Sequence, residues 1–233
     1  MQTLTVPDPL ADLAQLEGVP SAVTAARDAV DAILRDRGLR KINAEQSAQA
    51  LLAGARASAE LGDDTDRWLA GSVRLSTELL ALSSLILVAP GQAMARAHTL
   101  VARGEVEDDE LGRVRLDPEV SARMTALNRL LSQSGPTSAL VLAAIAHAEV
   151  ATVAPFGSAN GIVARAVEHM ILIASGVDPR AVIVVEAGHL SQGATYEGAL
   201  AAYGDGSVPG VRNWIVRCAQ AVTRGAELSP LAH

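Results

Sequence analysis

One stretch decides the fold of this chain: HAEVATVAPFGSANGIVAR, at residues 147–165. Its first half ends a run from Ser138 to Val153 that is apolar on nearly every face, as is typical of a helix at the centre of a bundle. Residues 154–160 interrupt the helical period, and a second apolar helix is predicted from Gly161 to Ala174. The stretch therefore predicts two core helices joined by a tight loop.

The composition predicts an all-α protein around this pair. Of the 233 residues, 49% are hydrophobic and only 2% are aromatic, so the core consists of small aliphatic side chains that let helices approach closely. Only the segment from Gly104 to Pro118 breaks the helical period over a long polar stretch. Within it the short run Arg113 to Arg115 predicts a small β-hairpin, which is the one candidate β element.

The chain divides into three regions along its length. Residues 1–20 carry three prolines and predict an irregular N-terminal arm. Residues 21–97 are predicted to form a set of N-terminal helices. Residues 98–233 are predicted to form the core, which contains the loop between the two central helices. After Ala181, this core predicts helices around Ala187 to Tyr203 and Val211 to Thr223.

Charge and cysteine content exclude several classes of protein. The net charge of −7, without a basic cluster, argues against a nucleic-acid partner. The single cysteine, Cys218, excludes an internal disulfide and fits a reduced cytoplasm. Neither a signal peptide nor an apolar run long enough for a bilayer is predicted, so no membrane association is expected.

The loop and its flanking helices resemble the signature of the Fic family of AMP transferases. That signature reads His-Pro-Phe-x-Asp/Glu-Gly-Asn-Gly-Arg-x-x-Arg, and it follows a buried helix with an Ala-His pair, here Ala146-His147. The resemblance covers about half of the chain, from His98 to Val222. The positions that match the signature are Pro155, Phe156, Asn160, Gly161 and Arg165. The resemblance implies a Fic-like helical bundle over residues 98–233, with a β-hairpin flap and an N-terminal helical extension.

Four positions depart from the signature. Ala154 replaces its histidine, Ser158 its acidic residue, Ala159 a glycine and Ile162 its first arginine. In the family, the histidine is the general base, the acid holds Mg²⁺ and the arginine neutralises phosphate. Loss of a general base alone lowers a rate about a hundred- to ten-thousandfold. Ordinary AMP transfer is therefore not expected, and no catalytic residue is assigned.

The retained part of the loop has two interpretations. Its helix start has free N–H groups that attract anions, so ATP or another nucleotide is a candidate ligand, although no cofactor is predicted. The candidate anion-binding residues are Phe156, Ser158, Asn160, Gly161 and Arg165. Alternatively, Asn160 and Gly161 only shape the loop while Arg165 pairs with a carboxylate. Ser158 is not predicted to be a nucleophile, because the Gly-x-Ser-x-Gly elbow is absent.

Two further segments enter through the resemblance. Gly112, Arg113, Val114 and Arg115 match the flap that aligns a target peptide by strand addition in the family. The helix carrying Ser58 is similar to the family's inhibitory helix, but Gly62 stands where its glutamate would be. Homodimers also occur in the family, so a second copy of the chain is a candidate partner.

The histidines predict no metal site. His147 lies mid-helix in an apolar run and is expected to be a hydrogen-bonded core residue. His169 and His189 are expected to be surface or structural, because no second ligand stands at a recognisable spacing.

Two hypotheses for function remain open from the sequence. The first is a non-catalytic binding protein that holds an unidentified protein partner along its flap. The second is a nucleotidyl- or phosphate-group transferase of altered chemistry, in which Arg165 holds the ligand and another residue such as His189 is the base.

Overall fold

The computed structural model describes residues 8, 10–37, 42–62, 64–133 and 138–232. Within these ranges the chain forms α-helices, joined by short loops and one 3-10 turn at Asp108–Glu110. The helices are α1 Ala11–Ala14, α2 Val19–Arg37, α3 Ala44–Glu60, α4 Thr65–Ile86, α5 Pro90–Ala102, α6 Pro118–Ser132, α7 Ala139–Val153, α8 Asn160–Ala174, α9 Val185–Leu190, α10 Ala194–Gly204 and α11 Val208–Glu227. The predicted all-α class is confirmed.

Polar side chains define where several helices begin. Asn43 and Gln46 form a reciprocal capping box at the start of α3, and Asp64 accepts from the Arg67 amide at the start of α4. Asp117 accepts from the first amides of α6, directly before a proline at the first helical position. Each cap satisfies an amide that has no acceptor within its own helix.

The pair α7 and α8 forms the centre of the bundle, as the sequence predicts. Most of α7 is buried, and α6, α10 and α11 pack around it, while α4 and α5 cover α8. Trp214 of α11 is fully buried and donates from its indole nitrogen to the Ala144 carbonyl of α7 at 2.7 Å. This bond satisfies the polar edge of the largest side chain in the core.

The predicted β-hairpin is wrong. Among the described residues the only β contact is an isolated bridge between Arg103 and Val106. The Arg115 amide donates to the Pro155 carbonyl at 2.8 Å, so this segment pairs with the loop after α7 instead of with a second strand. A two-stranded ribbon of three residues is too short to be stable by itself.

Among the differences between predicted and observed helix boundaries, two change the predicted organisation. The region predicted around Ala187 to Tyr203 is divided into α9 and α10, because Gly193 adopts a left-handed backbone with φ of +56°. Helix α2 begins at Val19, inside the predicted arm of residues 1–20, and α1 also lies there. Residues 1–7 and 9 of that arm lie outside the described residues.

Helix α4 has the length and apolar composition of a membrane-spanning helix, alone among the described helices. It packs against α3, α5 and α8, and 39% of its most apolar window is buried by these contacts. Its apolar composition is accounted for in part by this packing.

We predict that Gly71→Ala destabilises the protein. Helices α4 and α5 approach so closely at Gly71 that a Cβ atom would lie 2.0 Å from the Val101 carbonyl oxygen. Because that oxygen belongs to the backbone, a helix must shift, which lowers the free energy of unfolding by about 1–3 kcal/mol or more. Gly198→Ala is the matched control, since no atom lies within 4 Å of its Cβ position. It should raise stability by about 0.5–1 kcal/mol in the same urea titration. Equal effects would contradict the predicted close approach.

Candidate functional site

The loop between α7 and α8 is held in an unusual backbone conformation. Ala154, which ends α7, has a φ of +47°, and Ala159, which precedes α8, has a φ of +53°. Non-glycine residues rarely adopt this left-handed region, which costs roughly 1–2 kcal/mol for each residue. Such conformations concentrate at functional sites.

Asn160 fixes the shape of the loop. Its side-chain oxygen accepts from the Phe156 amide and its side-chain nitrogen donates to the Phe156 carbonyl, both at 2.9 Å. Phe156 is buried and its ring stacks on His98 at 4.4 Å between centroids. This arrangement agrees with the interpretation that Asn160 shapes the loop.

The hydroxyl oxygen of Ser158 lies 3.5 Å from Nε2 of His98. The other ring nitrogen of His98, Nδ1, accepts from the Gly112 amide at 3.0 Å. Nδ1 therefore carries no proton, so in the neutral ring Nε2 carries it and faces Ser158. Burial lowers the pKa of His98, which favours this neutral form. His98 thus cannot take a proton from Ser158, and the pair is not a nucleophile with its base.

Arg165 is buried, with 2% of its surface exposed, and is bound by side chains of two other helices. Its Nε donates to the Ser58 hydroxyl at 2.9 Å and its Nη2 to the Ser58 carbonyl at 2.8 Å. Its Nη1 donates to the Tyr196 hydroxyl at 3.2 Å. No carboxylate among the described residues lies within ion-pair distance of Arg165, so the predicted carboxylate partner is absent from this part of the chain.

A chain of buried polar groups continues from Tyr196 into the core. Its hydroxyl lies 2.8 Å from His147 Nε2, and His147 Nδ1 lies 2.5 Å from Glu168 Oε2. The same Glu168 oxygen lies 2.7 Å from His189 Nε2. Because an ionised carboxylate only accepts, both histidines direct an N–H at Glu168. The expectation that His147 is a hydrogen-bonded core residue is confirmed.

The ionisation of this chain follows from its burial. Burial lowers the pKa of His147 to about 4, despite the nearby Glu168 carboxylate, so the ring is neutral at pH 7. Burial opposes ionisation of Glu168, but the two histidines outweigh it and lower the pKa of this carboxyl. Burial also raises the pKa of Tyr196, which keeps its hydroxyl protonated.

His169 belongs to a second buried cluster. Its Nδ1 lies 2.9 Å from Glu186 Oε1, and Asp178 is a further neighbour at 3.8 Å. Burial lowers the pKa of His169, but the two carboxylates outweigh it and raise the value to about 10. Asp178 also accepts the Val182 and Ile183 amides, so this cluster joins α8 to the segment before α9. The expected structural role of His169 is confirmed.

A cavity of about 410 Å³ opens beside the loop. It is lined by Leu61, Gly62, Arg67, Trp68, Gly157, Ser158, Ala159, Asn160, Gly161, Ile162 and Arg165. The first amides of α8, including Gly161, have no acceptor within the helix and lie at this cavity. The guanidinium of Arg67 stacks on Trp68 and pairs with Glu105 at 3.4 Å.

The flap segment lies across the end of α7. Besides its amide bond to Pro155, Arg115 donates from its side chain to the carbonyls of Val153 and Ala154 at 3.0 and 2.8 Å. A cation at this position also interacts favourably with the C-terminal end of the helix dipole. Val114 and Leu116 stand on either side of Arg115, and Leu116 is 92% exposed. Their amides have no hydrogen-bond acceptor among the described residues.

The structure brings together some of the predicted site residues and separates others. Ser158, Asn160, Gly161 and Arg165 line one cavity, whereas the Phe156 side chain is buried behind it. His189 does not line this cavity, which removes it as the candidate base. Gly62 does line it, and Ser58 of α3 contacts Arg165.

Sequence reasoning missed Tyr196 and Glu168 as partners of Arg165 and His147. They lie at separations of 31 and 21 residues. No motif marks either residue, and burial of a glutamate on the apolar helix α8 was the one signal available.

Comparisons with solved structures agree with the architecture. A Fic family protein from Desulfovibrio desulfuricans shares 17% identity at a TM-score of 0.65, covering 87% of this chain and 73% of that chain. Fic-1 from C. elegans shares 16% identity at a TM-score of 0.58, covering 93% of this chain and 72% of that chain. No protein-family model and no curated protein match the sequence.

These similarities identify the class of the protein by its shape. The protein has the Fic fold, and the predicted helical bundle is confirmed. At this level of identity the similarity establishes the fold alone, so the function is argued from the site.

We predict that Ser58→Ala destabilises the protein strongly for a single hydroxyl. The substitution removes the acceptor of Arg165 Nε and leaves a buried charged donor without a partner, which costs about 1.5–3 kcal/mol. Ser84→Ala is the control, because Ser84 is an exposed helix serine that bonds only the Ala81 carbonyl. It should change stability by less than about 0.5 kcal/mol. Indistinguishable urea midpoints would show that the Ser58 bond contributes nothing.

Proposed function

We propose that this protein is a non-catalytic Fic-fold binding protein, which recognises an extended segment of a protein partner along its flap. One observation carries the proposal: Arg165, which the resemblance assigns to phosphate, is buried and bound by Ser58 and Tyr196. A guanidinium whose donors face other helices is poorly placed to clamp a phosphate group.

The other groups around the loop support the absence of transfer chemistry. Ala154 stands at the position of the family base and has no proton acceptor in its side chain. Among the described residues that line the cavity there is no aspartate, glutamate or histidine. General-base catalysis and Mg²⁺ binding both need such a group within reach.

The flap supplies the recognition surface. The Arg115 amide donates inward to the Pro155 carbonyl, whereas the amides of Val114 and Leu116 have no acceptor among the described residues and are available to a partner. Both side chains belong to the exposed large hydrophobic residues of the protein. Backbone groups without an acceptor, beside exposed apolar side chains, are what strand addition by a partner requires.

A second candidate function is anion binding in the cavity beside the loop. The cavity of about 410 Å³ combines the free amides at the start of α8 with the guanidinium of Arg67. A helix start and a cation together attract a phosphate group. A nucleotide is one such anion. Nucleotide binding in this cavity can be distinguished by experiment from peptide binding along the flap.

We predict that ATP neither stabilises the protein nor labels it. At 1 mM, a nucleotide with a dissociation constant of about 10 µM would add about 2.7 kcal/mol of stability, which thermal denaturation detects readily. The expected result is no shift in Tm with or without Mg²⁺, and no transfer of radioactive AMP from α-labelled ATP. A shift lost in Arg67→Ala but retained in Arg35→Ala would favour the second candidate, because Arg35 is exposed outside the cavity. Transfer of label would refute the non-catalytic proposal.

We predict that peptides selected from a random display library bind along the flap. Val114→Pro removes an outward amide and should weaken such a peptide roughly tenfold, or about 1.4 kcal/mol, by isothermal titration. Val114→Ala keeps the amide and is the matched control, which should lose less than about threefold. Peptides that bind both variants equally well would place the recognition surface elsewhere.

A further inference from the structure

The buried chain of polar groups behind Arg165 brings together more than hydrogen-bonding partners. His147 of α7, Glu168 of α8, His189 of α9 and Cys218 of α11 each offer one donor atom, and these atoms lie within 4.8 Å of one another. All four side chains are buried, with at most 1% of their surface exposed. Four separate helices thus converge on one point of the core.

We propose that His147, Glu168, His189 and Cys218 form a closed structural site for Zn²⁺. Imidazole nitrogen, thiolate sulfur and carboxylate oxygen are the three donor types that this ion prefers, and structural sites use four protein ligands without water. The carboxylate of Glu168 and the thiolate of Cys218 neutralise the two charges of the ion. Binding therefore releases one proton, from the Cys218 thiol, and leaves both imidazoles neutral.

The distances require only small adjustments. Metal–ligand bonds of about 2.0–2.3 Å at tetrahedral angles place donor atoms about 3.3–3.8 Å apart. Glu168 lies closer than this to His147 and His189, at 2.5 and 2.7 Å, while the four-atom set extends to 4.8 Å. A tetrahedral site thus requires the two short pairs to open, and the longest pair to close, by roughly 1 Å.

The surroundings of His147 suit a metal in one further respect. Tyr196 contacts the Nε2 nitrogen of His147, as an outer hydrogen-bond partner does when it orients a ligating imidazole. When Nδ1 of His147 binds the ion, its proton moves to Nε2 and faces the Tyr196 hydroxyl.

The alternative is a metal-free cluster in which the Glu168 carboxylate accepts hydrogen bonds from both histidines and Cys218 takes no part. The two arrangements differ in what Cys218 does. In the metal-free cluster the Cys218 thiol is an inert buried group. In a zinc site it is a thiolate ligand, and it changes the absorption spectrum of Co²⁺ bound in place of Zn²⁺.

The test uses the full chain, refolded from denaturant under reducing conditions with Co²⁺ or Zn²⁺ and then dialysed against a weak chelator. We expect one metal ion per chain by mass spectrometry of the native protein. With Co²⁺ we expect the visible absorption of a tetrahedral site together with a sulfur-to-cobalt band in the near ultraviolet. A strong chelator during refolding should lower the Tm.

Variants separate the site from non-specific binding. Cys218→Ser should abolish the sulfur band and Glu168→Gln should lower the metal content, while both remain helical by circular dichroism. His98→Gln is the control, because His98 is also buried but lies at the loop, outside the donor set, and it should bind one ion. If the variants do not fold, the wild-type spectrum decides alone. Wild-type protein without metal, or a spectrum without a sulfur band, would overturn the proposal.

Discussion

The buried guanidinium of Arg165 is the constraint on which the site depends. A charge removed from water must be met by hydrogen bonds, and here α3 provides Ser58 and α10 provides Tyr196. The same tyrosine contacts His147, so one cation ties the N-terminal helices and the closing helices to the central pair. Satisfying this charge directs all three nitrogens of the Arg165 guanidinium at Ser58 and Tyr196.

Most of the helical architecture could be predicted because its signals are local. The periodicity that predicts α7 and α8 lies within the helices themselves, and the loop at 154–160 is marked by its own proline and glycine. The prediction of a hairpin was wrong because the structure of that segment does not depend on a local signal. Arg115 bonds to Pro155, so a tertiary contact decides the structure of that segment. The break at Gly193 had a local signal, a glycine inside an otherwise helical pattern.

The candidate site could be predicted only in part. The loop residues are contiguous, so Ser158, Asn160 and Gly161 were found together. The partner of Arg165 could not be derived from spacing, because Ser58 lies 107 residues away. The donor set that we propose for Zn²⁺ is likewise distributed over four helices without a spacing motif, which is why the sequence predicted no metal site. Convergence of distant helices is a property of packing, and a single sequence does not encode it in its spacing.

The attachment of Arg115 has a mechanical meaning. Its three bonds join the flap to the last carbonyl of α7 and to the next two carbonyls, those of Ala154 and Pro155, so the segment is fixed to the end of the central helix. Leu116, the most exposed of the large hydrophobic side chains described, is thus adjacent to a residue bonded directly to the end of the buried helix α7. A partner that displaced the flap would therefore have to break these bonds.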